Sequence, residues 1–135
     1  MVILGNTQRK TNSFVTFHRI LAFVYPKSLF EKGSLQLASL RFVSGNVEHP
    51  SDRFLGTSVE VFFKDADLKD PAFAAFEKLS DNFVVVGAFD ANGVAETKLN
   101  VDKKVSMVRL SVHESSENWA ILSEIHFRLA PPPTL

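Results

Sequence analysis

The stretch Lys104–Arg128, KVSMVRLSVHESSENWAILSEIHFR, decides how the rest of the chain is read. Its first arm, Val105–Val112, alternates. Val108, Leu110 and Val112 fall on one face, and Met107, Arg109 and Ser111 on the other. Period two is the mark of a half-buried strand. His113–Asn118 (HESSEN) contains no apolar residue and reads as a loop, which Trp119, the single tryptophan, closes. Ala120–Leu129 reads as a second strand. The spacing predicts a long antiparallel pair joined by a polar loop.

Within this stretch, Met107-Val108-Arg109-Leu110 is followed, after a variable loop, by Trp119-Ala120 and then Glu124-Ile125. This arrangement resembles the last two strands of the discoidin-type domain, also called the coagulation factor 5/8 C-terminal domain. Family 32 carbohydrate-binding modules share that fold. LQLASLRFV, TSVEVFF and FVVVGAFDANGVAETKLN extend the resemblance, so that residues 35–129 align in order. The family's early D-G-x-x-x-T-x-W string is missing, and Gly5-Asn6-Thr7 is only a partial echo. The resemblance implies an all-β fold: an antiparallel β-sandwich, a galactose-binding-like jelly roll.

The remaining chain is read outward from there. Leu35 and Leu37 share one phase and Leu40 and Phe42 the other. A phase switch inside one strand is what a β-bulge produces, and it is expected near Ala38–Ser39. Ser44–Arg53 (SGNVEHPSDR) is a polar loop. In Thr57–Lys64, Val59, Val61 and Phe63 are expected inward, with Ser58 and Glu60 outward. Asp70 fits an N-cap and Pro71 a first helical position, which predicts one short helix with Phe73, Phe76 and Leu79 on one face. Phe83–Phe89 is a strand with a kink at Gly87. Asp90–Gly93 predicts a hairpin turn into Val94–Val101. Val2–Leu4 reads as an edge strand. Phe14–Tyr25 is apolar on both faces and suits a central strand, or two strands with a bend, which Pro26 ends. Seven or eight strands with polar loops argue for a sandwich. One domain over residues 1–130 is expected, with 131–135 as a Pro-rich tail or the start of a linker.

Composition narrows the function. Lys and Arg balance Asp and Glu at 15 each, so nothing pulls the chain toward nucleic acid. Cysteine is absent, which removes disulfide and thiolate chemistry. No signal-peptide pattern and no apolar run of membrane length is visible. Both a cytoplasmic protein and an extracellular module of a longer chain fit. Thirteen Phe against one Tyr and one Trp predict aromatics that belong to the core.

The histidines at 18, 49, 113 and 126 lie in no catalytic signature, and no P-loop or nucleophile elbow is present. The expectation is that the chain is not an enzyme and needs no cofactor. In the resembled family a glutamate of the last strand often helps hold a structural calcium. Glu124 matches it, although the early partners are missing and calcium needs six to eight oxygens. Glu124 and His126 also share a strand face. The resemblance implies a glycan ligand received by loops at one end of the sandwich. The candidates are His49, Asp52 and Arg53 from one loop and Glu117, Asn118 and Trp119 from the other, with Phe30 as a further aromatic. Trp119 fits the core equally well. Arg53→Ala is expected to remove binding without affecting stability. HESSEN and SGNVEHPSDR are too polar for membrane insertion. The implied partners are a glycan and a catalytic domain in a longer parent chain. The alternative is an intracellular protein-interaction module of the same superfamily.

Overall fold

A computed structural model describes residues 2–4, 20–24, 36–114 and 120–131. Among these residues nine strands form: β1 (Val2–Leu4), β2 (Ile20–Val24), β3 (Leu37–Ser44), β4 (Thr57–Phe63), β5 (Glu77–Lys78), β6 (Val84–Ala88), β7 (Val94–Lys98), β8 (Val105–Val112) and β9 (Leu122–Leu129). They make two antiparallel sheets. One has the order β1-β2-β8-β4-β6-β5 and the other β7-β3-β9. The fold is an all-β sandwich, as the alternation of β4 and β8 requires.

The core lies between the sheets. Val59, Val61, Val108 and Leu110 from the larger sheet meet Leu40, Phe42 and Ala95 from the smaller one. Phe42 packs edge-on against Phe127, with ring centroids 5.9 Å apart, and Phe54 lies 5.3 Å from Phe89. Among the described residues, Phe42, Phe54, Phe63, Phe73 and Phe89 are core residues, with Phe76 and Phe127 packed against them. The bulge expected in β3 is present: Leu37 pairs with Leu129 and Ser39 with Arg128, leaving Ala38 as the extra residue. A second bulge, between Phe62 and Phe63, puts both Val105 and Val108 on the core face.

Four expectations change. β8 and β9 do not pair. β8 sits between β2 and β4, whereas β9 pairs with β3, so the 113–121 connection crosses from one sheet to the other. Asp90–Gly93 turns tightly, with the Gly93 N–H donating to the Asp90 carbonyl at 3.0 Å. It joins no hairpin, since β6 pairs with β4 and β5 while β7 pairs with β3. The short helix is one 3-10 turn, Pro71–Phe73, capped by the Asp70 carboxylate on the Ala72 N–H at 2.9 Å. Phe73 from this turn is fully buried, Phe76 packs on the core edge, and the chain then enters β5.

The fourth change concerns the outer face of the larger sheet. Ser58, Glu60, Arg109 and Ser111 are buried there. Arg109 Nε donates to Glu60 Oε1 at 2.9 Å, and Nη1 donates to Asp81 at 2.7 Å. Its guanidinium also stacks 3.7 Å above the Phe83 ring. The segment bearing Asp81 and Phe83 covers this face, so the polar phase of β4 and β8 is an ion-pair layer rather than a wet surface.

Candidate functional site

Three connections meet at one end of the sandwich. The first, residues 45–56, opens and closes on glycines held at positive φ, Gly45 at 71° and Gly56 at 54°. Within it, the Asn46 side chain accepts from the His49 N–H at 2.6 Å. The His49 carbonyl accepts from both the Asn46 and Asp52 N–H groups at 3.2 Å. Short polar residues thereby satisfy a loop that has no strand partner.

The second connection is the Asp90–Gly93 turn. Ser44, at the end of β3, fixes the first loop to it. The Ser44 hydroxyl donates to the Gly93 carbonyl at 2.7 Å and accepts from the Phe54 N–H at 2.9 Å. Arg53 Nη1 donates to the Ala91 carbonyl at 3.0 Å. Its aliphatic stem fills the space beside Gly45 and Gly93, where a Cβ on Gly93 would lie 2.8 Å from Arg53 Cγ.

The third connection runs from β8 to β9, and both of its ends are tied to the first. The His113 N–H donates to the Gly56 carbonyl at 2.8 Å. At the far end, the Gly45 N–H donates to the Ile121 carbonyl at 2.8 Å, and the Ile121 N–H donates to the Asp52 carbonyl at 2.9 Å. The described ends of the 113–121 connection are therefore anchored to residues 45–56.

The chemistry on offer is that of an exposed polar surface. His49 Nδ1 lies 3.8 Å from Asp52 Oδ2, with the imidazole 59% exposed and the carboxylate 18% exposed. Asp52 is thus a fixed acceptor and His49 a reachable donor or acceptor. Val47 stands almost wholly exposed at the tip. Arg53 belongs to the scaffold as much as to the surface. It is half-buried, and its Nε is shielded from solvent without a hydrogen-bond partner. Glu117, Asn118, Trp119 and Phe30 lie outside the described residues. The sequence reading missed the 90–93 turn as a third wall, because Asp-Ala-Asn-Gly looks like a hairpin turn whichever strands it joins.

The buried charge cluster reaches this end through His113, whose Nε2 lies 2.9 Å from the Ser58 hydroxyl, which in turn donates to Glu60 at 2.9 Å. Burial opposes ionisation of Glu60. The neighbouring Ser111 hydroxyl, with hydrogen bonds from Arg109 and Ser58, outweighs it and holds the carboxyl below the usual range. The Arg109 hydrogen bond likewise lowers Asp81 against the effect of its partial desolvation. For Arg109, desolvation is outweighed by Asp81 and Glu60, which raise its pKa.

A family profile described as the MGAT4 C-terminal domain matches residues 29–124, a stretch that contains all three connections. The chain belongs to the MGAT4 C-terminal domain family. Alpha-1,3-mannosyl-glycoprotein 4-beta-N-acetylglucosaminyltransferase A of Macaca fascicularis is 41% identical over 98 residues, covering 71% of this chain and 18% of that protein. The Gallus gallus enzyme of the same name is 42% identical over 89 residues, 64% of this chain and 16% of that protein. The B enzyme of Danio rerio is 35% identical over 101 residues, covering 66% and 18%. This MGAT4 C-terminal domain thus spans less than a fifth of the length of the curated relatives it matches. Their names overturn the expectation that the chain is not an enzyme, since each is an N-acetylglucosaminyltransferase.

Glu124, the expected calcium ligand, lies on the outer face of the smaller sheet of this MGAT4 C-terminal domain. It is 54% exposed, 3.6 Å from Arg41 and 3.9 Å from His126. Among the described residues, no three His, Cys, Asp or Glu side chains gather as metal ligands would. No helix among them is long and apolar enough to cross a membrane.

Proposed function

We propose that this chain is the glycan-recognising C-terminal domain of an N-acetylglucosaminyltransferase-type enzyme. The glycan is received where residues 45–56, the 90–93 turn and the 113–121 connection converge. The observation that supports this reading is the pair of main-chain hydrogen bonds joining Ile121, at the end of the 113–121 connection, to Gly45 and Asp52 of the first loop. Sugar hydroxyls both donate and accept. Asp52 supplies a fixed acceptor and His49 a second polar contact. Glu117, Asn118 and Trp119 stand immediately before exposed Ala120 in the chain, and an indole ring there suits the apolar face of a pyranose. A catalytic domain in a longer parent chain is the natural partner, and the captured glycan would be held near it.

A shallow site of this kind binds at about 0.1–1 mM, or roughly −4 to −5.5 kcal/mol. The test is a glycan array followed by NMR titration of the wild type and of Asp52→Asn. Shifts confined to residues 45–53, 90–93 and 113–121, lost in Asp52→Asn with the melting temperature kept, support the reading. A second reading, docking of a protein through the same end, is favoured by the exposure of Val47 and Leu55, at 99% and 46%. It predicts no glycan shifts, and a partner interface sensitive to Val47→Asp.

A further inference from the structure

The opposite end of the smaller sheet carries a different surface. In register across its three strands, Lys98 of β7 pairs with Ser39 of β3, and Ser39 pairs with Arg128 of β9. Paired residues share a face, and this row points away from the core, since the next row inward (Thr97, Leu40, Phe127) faces it. Two cations therefore stand on either side of a small hydroxyl, with backbones roughly 10 Å apart by two strand spacings of about 4.8 Å. The β3 bulge at Ala38 lies directly beneath.

The row opens into a groove of about 340 Å³, whose walls also include Asn100, Leu129 and Pro131. That volume falls in the ~300–1,000 Å³ range of small-ligand sites. No carboxylate lines the groove. Neither Lys98 nor Arg128 belongs to any ion pair among the described residues, whereas Arg41, two rows along on the same face, is flanked by Glu96 at 3.8 Å and Glu124 at 3.6 Å. On the same sheet face, one cation is balanced and the next two are left open.

We propose that this groove binds an acidic saccharide unit, a pyranose bearing a carboxylate. The guanidinium of Arg128 matches a carboxylate in bidentate geometry, and Lys98 adds a second charge from the facing side. Ser39 and Asn100 supply groups that read hydroxyls. Leu129, half-exposed, and Pro131 offer an apolar floor for the ring. An extended acidic peptide fits less well. Its cations stand on the two edge strands, β7 and β9, but their side chains project from the sheet face, perpendicular to the backbone groups that a peptide strand would pair with. This site is separate from the loops at the other end and does not depend on their role.

The experiment is an amide NMR titration of the intact chain with methyl glucuronide, methyl glucoside, sodium sulfate and a hexaglutamate peptide. The glucuronide is expected to shift Ser39, Lys98, Asn100 and Arg128 while leaving residues 45–53 unmoved, and the neutral glucoside to shift none of them. Lys98→Gln and Arg128→Gln, both surface changes, should each weaken binding about five- to tenfold, and rising salt should weaken it further. Equal shifts with sulfate alone would reduce the site to an inorganic-anion patch and overturn the saccharide assignment. A stronger response to hexaglutamate would also overturn it. So would the absence of any glucuronide response in a folded protein.

Discussion

Arg109 and Glu60, forty-nine residues apart in sequence, form an ion pair on the covered outer face of the larger sheet, with the Glu60 side chain fully buried and the Arg109 side chain 6% exposed. Asp81 and the Phe83 ring complete the enclosure of the guanidinium. A charge placed there depends on its partner, because water is not available to replace it.

Removing the arginine therefore costs more than its strand phase suggests. Arg109→Ala leaves the buried Glu60 carboxylate without its guanidinium and is expected to destabilise by about 3–5 kcal/mol. Leu110→Ala, which opens a cavity in the core, should cost about 2–5 kcal/mol. The two variants are predicted to be comparable in urea denaturation. Arg109→Ala within ~1 kcal/mol of wild type would mean the pair contributes little. Replacing both members, as Arg109→Leu with Glu60→Leu, should recover part of the loss.

The same cluster sets the acid limit of stability. Glu60 and Asp81 have folded-state pKa values below their ordinary values of 4.5 and 3.8. In that window the unfolded chain binds more protons than the folded one, so stability rises with pH. The contribution is complete above about pH 5 and is lost as pH falls through the lowered folded-state values. Asp81 is about half exposed and contributes the smaller share. Melting temperatures between pH 7 and pH 3 should fall more gently for Glu60→Gln than for wild type, although Glu60→Gln starts lower. Parallel curves would show that the acid sensitivity arises elsewhere.

At the loop end, Ser44→Ala removes one hydroxyl that serves two buried main-chain groups, the Gly93 carbonyl and the Phe54 N–H. A loss of about 1–3 kcal/mol is expected, with faster hydrogen exchange in residues 45–54 and 90–94. Unchanged exchange in both segments would show that the hydroxyl does not join them.

Arg53→Ala is expected to lower stability as well as ligand binding, because its stem packs beside Gly45 and Gly93 and its guanidinium holds Ala91. The expectation that it would report on binding alone is revised on that packing. Asp52→Asn keeps the shape of the loop and is the cleaner probe. Thermal melts of both variants check this: Arg53→Ala should melt lower and Asp52→Asn close to wild type.

Glu124 sits beside Arg41 on an open sheet face, in a setting that suits a solvated ion pair. We expect EDTA to leave the melting temperature unchanged. A melting temperature that climbs with calcium concentration would show a bound ion that stabilises the fold.

Local pattern was enough to identify several features of this protein. Alternation named Val108, Leu110 and Val112 as core-facing, the phase switch located the bulge at Ala38, and Asp70-Pro71 marked the cap of the short turn. Each is written within a few residues, because a strand's faces and a turn's caps are set by neighbouring backbone geometry. The tertiary structure alone decided that β8 and β9 belong to different sheets, and that the turn at Asp90–Gly93 links sheets instead of closing a hairpin. It also decided that the polar phase bearing Glu60 and Arg109 lies under a cover, and that Ile121 is bonded to Gly45 and Asp52 of the first loop. Alternation shows that a strand has two unlike faces. It carries no record of what packs on either one, since that depends on segments tens of residues away whose approach is fixed only when the whole sandwich closes.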